Sequence, residues 1–388
     1  MTDQRRLAAR TALIDPFRVM EIAEEAWALA ASGRSIIWLL AGEPDFGTPP
    51  EAVAAAQEAS AGGRVQYTQS LGIPALREAI STYYGERFGL DVPARRIAVT
   101  TGASGALSLA LAATIDPGAQ VLLTDPGYPC NRHFVHLYGG EPVCVPVGPD
   151  NAYQLDTALV DAHWNDRTSG LLLATPSNPT GTIVAPEELA AMADIVAARH
   201  GVLIVDEIYG ELVYGRAPTT VLSHTDDAFV VNSFSKTFGM TGWRLGWLVV
   251  PEWAGDAIER LAQNLYIAAP APSQAAGLAC FQPSVWAQVD ARRRELEARR
   301  DILVDGLRSL GFAVPVIPDG AFYVYADCSP IADDAVAFVR RLLHEGGVAC
   351  TPGLDFGTHR ANAHIRFSYT ASSTQLGAAL ERITTVIG

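Results

Sequence analysis

From about residue 95 to 275, short β-rich apolar runs alternate with Ala- and Leu-rich stretches. This alternation, more than any other feature, confines the chain to an α/β architecture around a largely parallel sheet. Seven runs qualify as strands: Ile97 to Thr101, Gln120 to Thr124, Glu141 to Pro146, Gly170 to Thr175, Val202 to Asp206, Ala228 to Asn232 and Leu245 to Val250. Helices are expected between them, including Gly105 to Thr114 and Pro186 to His200, the second opened by a proline with Glu187 and Glu188 in its first turn. From Ser284 to Leu310 apolar residues recur at helical spacing with Arg and Glu opposite, which predicts one long amphipathic helix able to bridge two domains. Beyond residue 311 the pattern returns to short strands and two helices, enough for a smaller α+β domain. The N-terminal segment offers one helix and a Gly/Pro-rich stretch that must bury against other parts of the molecule. The expected division is an N-terminal arm that joins the small domain (1–45), a large domain (46–283), and an interdomain helix with the C-terminal small domain (284–388).

A chain of 388 residues, 49% of them hydrophobic, can bury more than one core, so disorder is not expected. Its formal net charge of -14 would repel a phosphate backbone or an anionic membrane surface, which leaves small metabolites rather than nucleic acid or membrane lipid as partners. The N-terminal MTDQRRLAARTALIDPF has no uninterrupted apolar stretch behind its basic residues, and no later segment approaches the length of a membrane span. The expected location is therefore cytoplasmic. Five scattered cysteines (Cys130, Cys144, Cys280, Cys328 and Cys350), without a C-x-x-C pair, suggest reduced thiols and no metal site.

Of the 28 Lys and Arg residues, Lys236 is the only lysine. Arginine serves for surface charge and ion pairs, but a guanidinium stays protonated and is a poor nucleophile, so chemistry that needs an amine cannot use it. Lys236 lies in Ser233-Phe-Ser235-Lys236-Thr-Phe-Gly-Met-Thr-Gly-Trp-Arg244-Leu-Gly, directly after a strand. Glycines there let the backbone approach a ligand, the hydroxyls of Ser233 and Ser235 can donate to phosphate oxygens, and Arg244 can grip the same dianion through two N–H groups. Read alone, the segment could also be a solvated loop, the weaker of the two readings.

Other segments place polar residues where α/β ligand sites form, at the carboxyl ends of strands. Thr100-Thr-Gly102-Ala103-Ser104 sits at a strand-to-helix junction, where free N–H groups and the helix dipole favour an anion, although Ser104 could simply be an N-cap. Asp125-Pro-Gly-Tyr128-Pro offers an aromatic ring, or an ordinary turn. Ser177-Asn178-Pro-Thr-Gly-Thr and Val205-Asp206-Glu-Ile-Tyr209 each follow an apolar run; read alone, the Asp could be a helix cap or an ion-pair partner. Ala363-His-Ile-Arg366-Phe-Ser reads as a strand carrying one arginine.

In order and approximate spacing, over nearly the whole chain, these segments resemble the class I/II aminotransferases that depend on pyridoxal 5'-phosphate (PLP), of fold type I and like aspartate aminotransferase. The lysine segment is similar to their signature Ser-x-Ser-Lys-x-Phe-x-Met-x-Gly-x-Arg-Leu-Gly. The resemblance implies a large PLP-binding domain with a mainly parallel seven-stranded sheet flanked by helices, a smaller α+β domain, and a homodimer with shared sites. It implies that Lys236 forms the Schiff base. It gives the phosphate to Gly102, Ala103, Ser104, Ser233, Ser235 and Arg244, with Tyr67 of Tyr67-Thr-Gln-Ser-Leu-Gly reaching it across the dimer interface. Tyr128 would lie against the pyridine ring, Asp206 at its nitrogen, and Asn178 and Tyr209 at its phenolic oxygen. Arg366 would clamp the substrate α-carboxylate, assisted by Asn178 and by the backbone at Gly42 in Leu39-Leu-Ala-Gly42-Glu-Pro-Asp-Phe. The chemistry accounts for these types: a carboxylate keeps the ring nitrogen protonated so that the ring can accept the electron pair released at Cα, and hydrogen bonds to the phenolic oxygen tune the imine.

The implied activity is transfer of an amino group between an L-amino acid and a 2-oxo acid, ping-pong, through a Lys236 aldimine. The alternative on the same fold is a C–S β-lyase or another reaction at Cα. A non-catalytic regulator with this fold would carry a DNA-binding module ahead of it, whereas here the pattern starts by about residue 15. No second arginine can be placed opposite Arg366. The segment with Ile14, Pro16 and Phe17 resembles the family's covering arm, which would favour apolar or small amino acids.

Overall fold

The protein is described from a computed structural model covering residues 7–40 and 42–388. Its main sheet has seven strands in the order Ile97–Thr100, Gly246–Val249, Ala228–Ser233, Val202–Asp206, Thr168–Ala174, Gln120–Asp125 and Glu141–Pro146. All pairings are parallel except those of Gly246–Val249, which runs against both of its neighbours. The strands fall within two residues of the sequence expectation at either end.

Successive side chains on a strand point to opposite faces, and here both faces are dry. Val99, Leu171, Leu173, Val205 and Val230 enter a cluster with Leu76, Ile80 and Leu189, while Ala98, Leu172, Ile204, Phe229 and Val231 enter another with Leu107, Leu109 and Leu111. The strands are therefore apolar runs rather than alternating ones. Glu141–Pro146 forms an edge, partly exposed and carrying Pro142 and Pro146, residues that discourage further pairing.

A second, antiparallel sheet joins Thr351–Pro352, His364–Ser368 and Tyr323–Asp327. Beside it Ile37–Trp38 pairs in parallel with Val348–Ala349, a contact between the two ends of the chain that a two-residue strand gives no periodicity to announce. The arm helix, Arg18–Ala31, packs Ile22, Ala23 and Ala26 into the same apolar cluster as Phe338, Ile365 and Ile383. Its N-terminus has no side-chain cap of its own; the Asp355 carboxylate accepts instead from the N–H groups of Arg18 (2.8 Å) and Val19 (2.9 Å). The long helix expected at 284–310 is Pro283–Ser309. The helix expected from Gly105 begins at Gly102 with Thr101 as N-cap, so Ser104 lies inside the first turn and is not a cap. No helix among the described residues is long and apolar enough to cross a membrane.

Candidate active site

The parallel strands end on one side of the sheet, and the site residues leave from those ends. Ala228–Ser233 passes into a single helical turn, Phe234–Thr237, because the Ser233 hydroxyl accepts from the N–H of Ser235 (3.1 Å) and so turns the chain. That turn carries Lys236. Its Nζ donates to the carbonyl of Gly42 at 2.7 Å, which fixes the amine within the cavity. Burial pushes the amine from an ordinary 10.5 down to about 8, opposed by Glu43 and Asp206 and assisted by Arg366 and Arg244.

The next strand is threaded tightly past the helix that begins at Gly102. A Cβ at Gly246 would stand 2.7 Å from the Asn232 carbonyl oxygen, 2.8 Å from the Gly102 carbonyl carbon and 3.0 Å from the Ala103 nitrogen. Gly102 has φ +75°, and a Cβ there would stand 2.6 Å from Arg244 Nη2. Glycine at both places lets the helix start, the strand and the Arg244 guanidinium share one corner. No side chain caps the helix at Thr101, and Ala103, Ser104, Ser233, Ser235 and Arg244 all border the cavity. A helix N-terminus, three hydroxyls and a guanidinium form a donor set suited to a phosphate dianion.

Asp206 ends the neighbouring strand and is neither a helix cap nor half of an ion pair among the described residues. Its carboxylate accepts from the N–H of Ile208 at 3.1 Å. Burial raises it to about 7, opposed by that N–H and by Lys236. Such a carboxylate calls for a cationic N–H donor. Tyr128, at the start of helix Pro129–Leu137, turns its ring to the same cavity. The phenol of Tyr209 lies 2.9 Å from that of Tyr323. Burial, then Tyr323, pushes it well above its ordinary range, so it remains a donor.

Opposite stands Arg366, on His364–Ser368. Nη1 donates to Asn178 Oδ1 at 2.9 Å, and Nη2 to the Leu40 carbonyl at 2.8 Å and to Thr351 Oγ1 at 3.3 Å. Nε is buried without a partner, and the guanidinium lies 4.3 Å from the ring centre of Tyr323 and 4.8 Å from that of Phe356. A buried cation held by neutral acceptors and aromatic faces is poised for an anion that arrives from outside.

Of the residues singled out in the sequence, all but Gly102 and Tyr67 border one cavity of 630 Å³. Gly102 lies beneath Arg244, whereas Tyr67 is 82% exposed and away from this cavity. The arm expectation is corrected in part: Phe17 lines the cavity, Pro16 lines an adjoining one of 350 Å³, and Ile14 borders neither. The wall is supplied by the helix after them, through Met20 and Trp27. Sequence reasoning also missed Tyr323, Asp355, Phe356 and Trp38, which no motif string marks, and Glu43, which follows Gly42 in its segment but was given no role.

The family model for aminotransferase class I and II matches residues 34–383. A Mycobacterium tuberculosis protein named valine–pyruvate aminotransferase is 41% identical, with 99% of this chain and 98% of that protein aligned. Among solved structures, an aminotransferase from Mycobacterium tuberculosis superposes with a TM-score of 0.95 at 39% identity, covering 99% of both chains. An aspartate aminotransferase from Thermus thermophilus, solved with maleate, gives 0.93 at 34% identity, covering 99% of this chain and 100% of that one.

Proposed function

Because the chain belongs to the class I and II aminotransferases, we propose that its cavity holds PLP, that Lys236 is the amine to which the cofactor would be joined, and that the cofactor would carry the amino group from an L-amino acid to a 2-oxo acid. The activity is ping-pong aminotransfer, so one pocket serves both half-reactions. The observation that carries the residue assignment is that Lys236 and an Arg366 with a free buried N–H face the same 630 Å³ cavity.

The residues present fit the cofactor. The donor set at Ser104, Ser233, Ser235 and Arg244 would hold its phosphate, Asp206 its ring nitrogen, Asn178 and Tyr209 its phenolic oxygen, and Tyr128 one face of the ring. When bound, PLP supplies the electron sink that allows heterolysis at Cα. Arg366 orients the substrate by its α-carboxylate, through Nε and one Nη. Lys236 Nζ, biased by burial toward its neutral form, removes the Cα proton. Asp206, once a cationic N–H stands beside it, is held ionised against the burial that otherwise raises it.

The same proposal includes two subunits, with Tyr67 serving the neighbour's site. It is supported by a large side chain left 82% exposed and by exposed Val65 beside it. It also keeps the division at 45/46 and 283/284. In support, helix Pro283–Ser309 starts on one apolar cluster with Val285 and Val289 and ends on another with Leu303, Val304 and Leu307.

Single-turnover spectroscopy tests the reaction. Amino acids are added to the holoenzyme, the visible band of the bound cofactor is followed, and the product is identified. Bleaching with one equivalent of 2-oxo acid supports the proposal. Ammonia and pyruvate from a cysteine-type donor, with the band regained, would establish a lyase. No visible band after addition of PLP would overturn the cofactor.

A further inference from the structure

With the α-carboxylate at Arg366 and the amino group at Lys236, the third substituent on Cα is left the wall built by the arm helix and the segment after it. That wall is apolar: Phe17, Val19, Met20 and Trp27 from the arm, Trp38 and Leu40 from the segment. Met20, Ala23 and Trp27 recur at i, i+3 and i+7 and so share the face that looks into the cavity, while Ile22 and Ala26 lie buried in the core. Met20 is 45% exposed and Trp27 53%, and the Trp27 and Trp38 rings stand 6.2 Å apart. Large apolar side chains left open on the inward face of a docked helix form a surface made to be covered.

The charges agree. Among the described residues that border the cavity the cations are Lys236, Arg244 and Arg366, and each already has a role in the reaction proposed above. The acids on the arm side are Glu43 and Asp355, and Asp355 is engaged with the helix N-terminus. A second carboxylate entering here would give up water, find no uncommitted cation among this chain's described residues at the cavity, and meet Glu43.

Resting on the aminotransferase reading, we propose that this wall is the side-chain subsite and that it selects 2-amino acids with uncharged branched aliphatic or aromatic side chains. Both half-reactions use one pocket, so the acceptor is a 2-oxo acid of the same apolar class, and dicarboxylates are rejected in both directions.

The test compares leucine, phenylalanine, alanine, glutamate, aspartate and lysine in single turnovers of the holoenzyme. It also compares maleate with 4-methylpentanoate as dead-end ligands in equilibrium titrations. Leucine should exceed alanine in kcat/KM by roughly fifty-fold, the effect of three buried carbons, and the acids and lysine should fall below alanine. Glutamate, aspartate or lysine matching leucine overturns the inference and leaves aminotransfer standing. If no amino acid reacts, the aminotransferase reading fails, and the dead-end ligands still decide the subsite: tighter 4-methylpentanoate supports it and tighter maleate overturns it. Met20→Arg should raise the glutamate-to-leucine ratio at least tenfold, and Trp27→Ala should lower the phenylalanine-to-alanine ratio by about tenfold, since both side chains are partly exposed and removable without emptying the core. Ratios unmoved by both substitutions would overturn the assignment of this wall.

Discussion

Asp355→Ala should loosen the arm helix without unfolding the protein. The wild-type carboxylate bonds the N–H groups of Arg18 and Val19 from more than 330 residues away, at a helix start with no other side-chain cap. Losing a capping side chain destabilises a helix start by about 1–2 kcal/mol, and losing a negative charge from the positive end of the dipole adds about 0.3–1 kcal/mol. The sum corresponds to a roughly 10- to 100-fold rise in local opening. The helix is docked through few fully buried side chains, Ile22, Ala23 and Ala26, so its opening is expected to be separate from global unfolding. Hydrogen exchange read by mass spectrometry checks this: protection across 18–31 should fall 10- to 100-fold while the central strand Ala228–Ser233 keeps its own. Because the same helix carries Met20 and Trp27, KM for apolar amino acids should rise in parallel. Unchanged protection over 18–31, or an equal loss in the central strand, would refute the reasoning.

Three further outcomes are expected. Lys236→Ala should abolish turnover and, as apoprotein, be more stable than the parent at pH 7. A lysine lowered from 10.5 to about 8 by burial opposes folding fully below pH 8 and loses that effect as pH rises to 10.5. The gain should therefore be up to about 3 kcal/mol at pH 7 and close by pH 10.5 in urea titrations; a gap that widens with pH contradicts the account. Arg366→Gln removes a two-point clamp and should lower kcat/KM by about 10²- to 10⁴-fold for every amino acid tested, with binding of 4-methylpentanoate lost in step. Gly246→Ala drives a methyl group into the backbone of Asn232 and Gly102–Ala103 and should cost about 1–3 kcal/mol in urea titrations together with a lower PLP affinity; wild-type values for both would show that the corner is looser than its distances imply.

The site was legible where function and chain continuity coincide. Lys236, Asp206, Asn178 and Arg366 follow or occupy apolar runs, so each could be placed at a strand or strand end from its immediate neighbours. The seven strands were legible because burial on both faces selects unbroken apolar residues. What stayed hidden depends on contacts between distant segments. Ile37–Trp38 is a strand only because Val348–Ala349 lies beside it, and Asp355 reads as a loop acid until the arm helix sets its first turn on it. Met20 and Trp27 went unmarked within the one helix expected in the N-terminal segment, since a sequence shows that a face is apolar but not whether a core or a cavity meets it. Tyr323 and Phe356 flank Arg366 through tertiary packing with no spacing to betray it.

The solitary lysine has a practical corollary for the outside of the molecule. Every other Lys or Arg position is an arginine, so an acyl thioester, a reducing sugar or an active-ester dye finds a single ε-amine on the whole chain, and that amine sits inside the cavity beside the Gly42 carbonyl. The surface offers amine-directed reagents no second ε-amine. Labelling at Lys236 is thereby a direct gauge of cavity occupancy: fast when the cavity is open, slow when a ligand fills it, and free of the background that scattered lysines impose on other proteins.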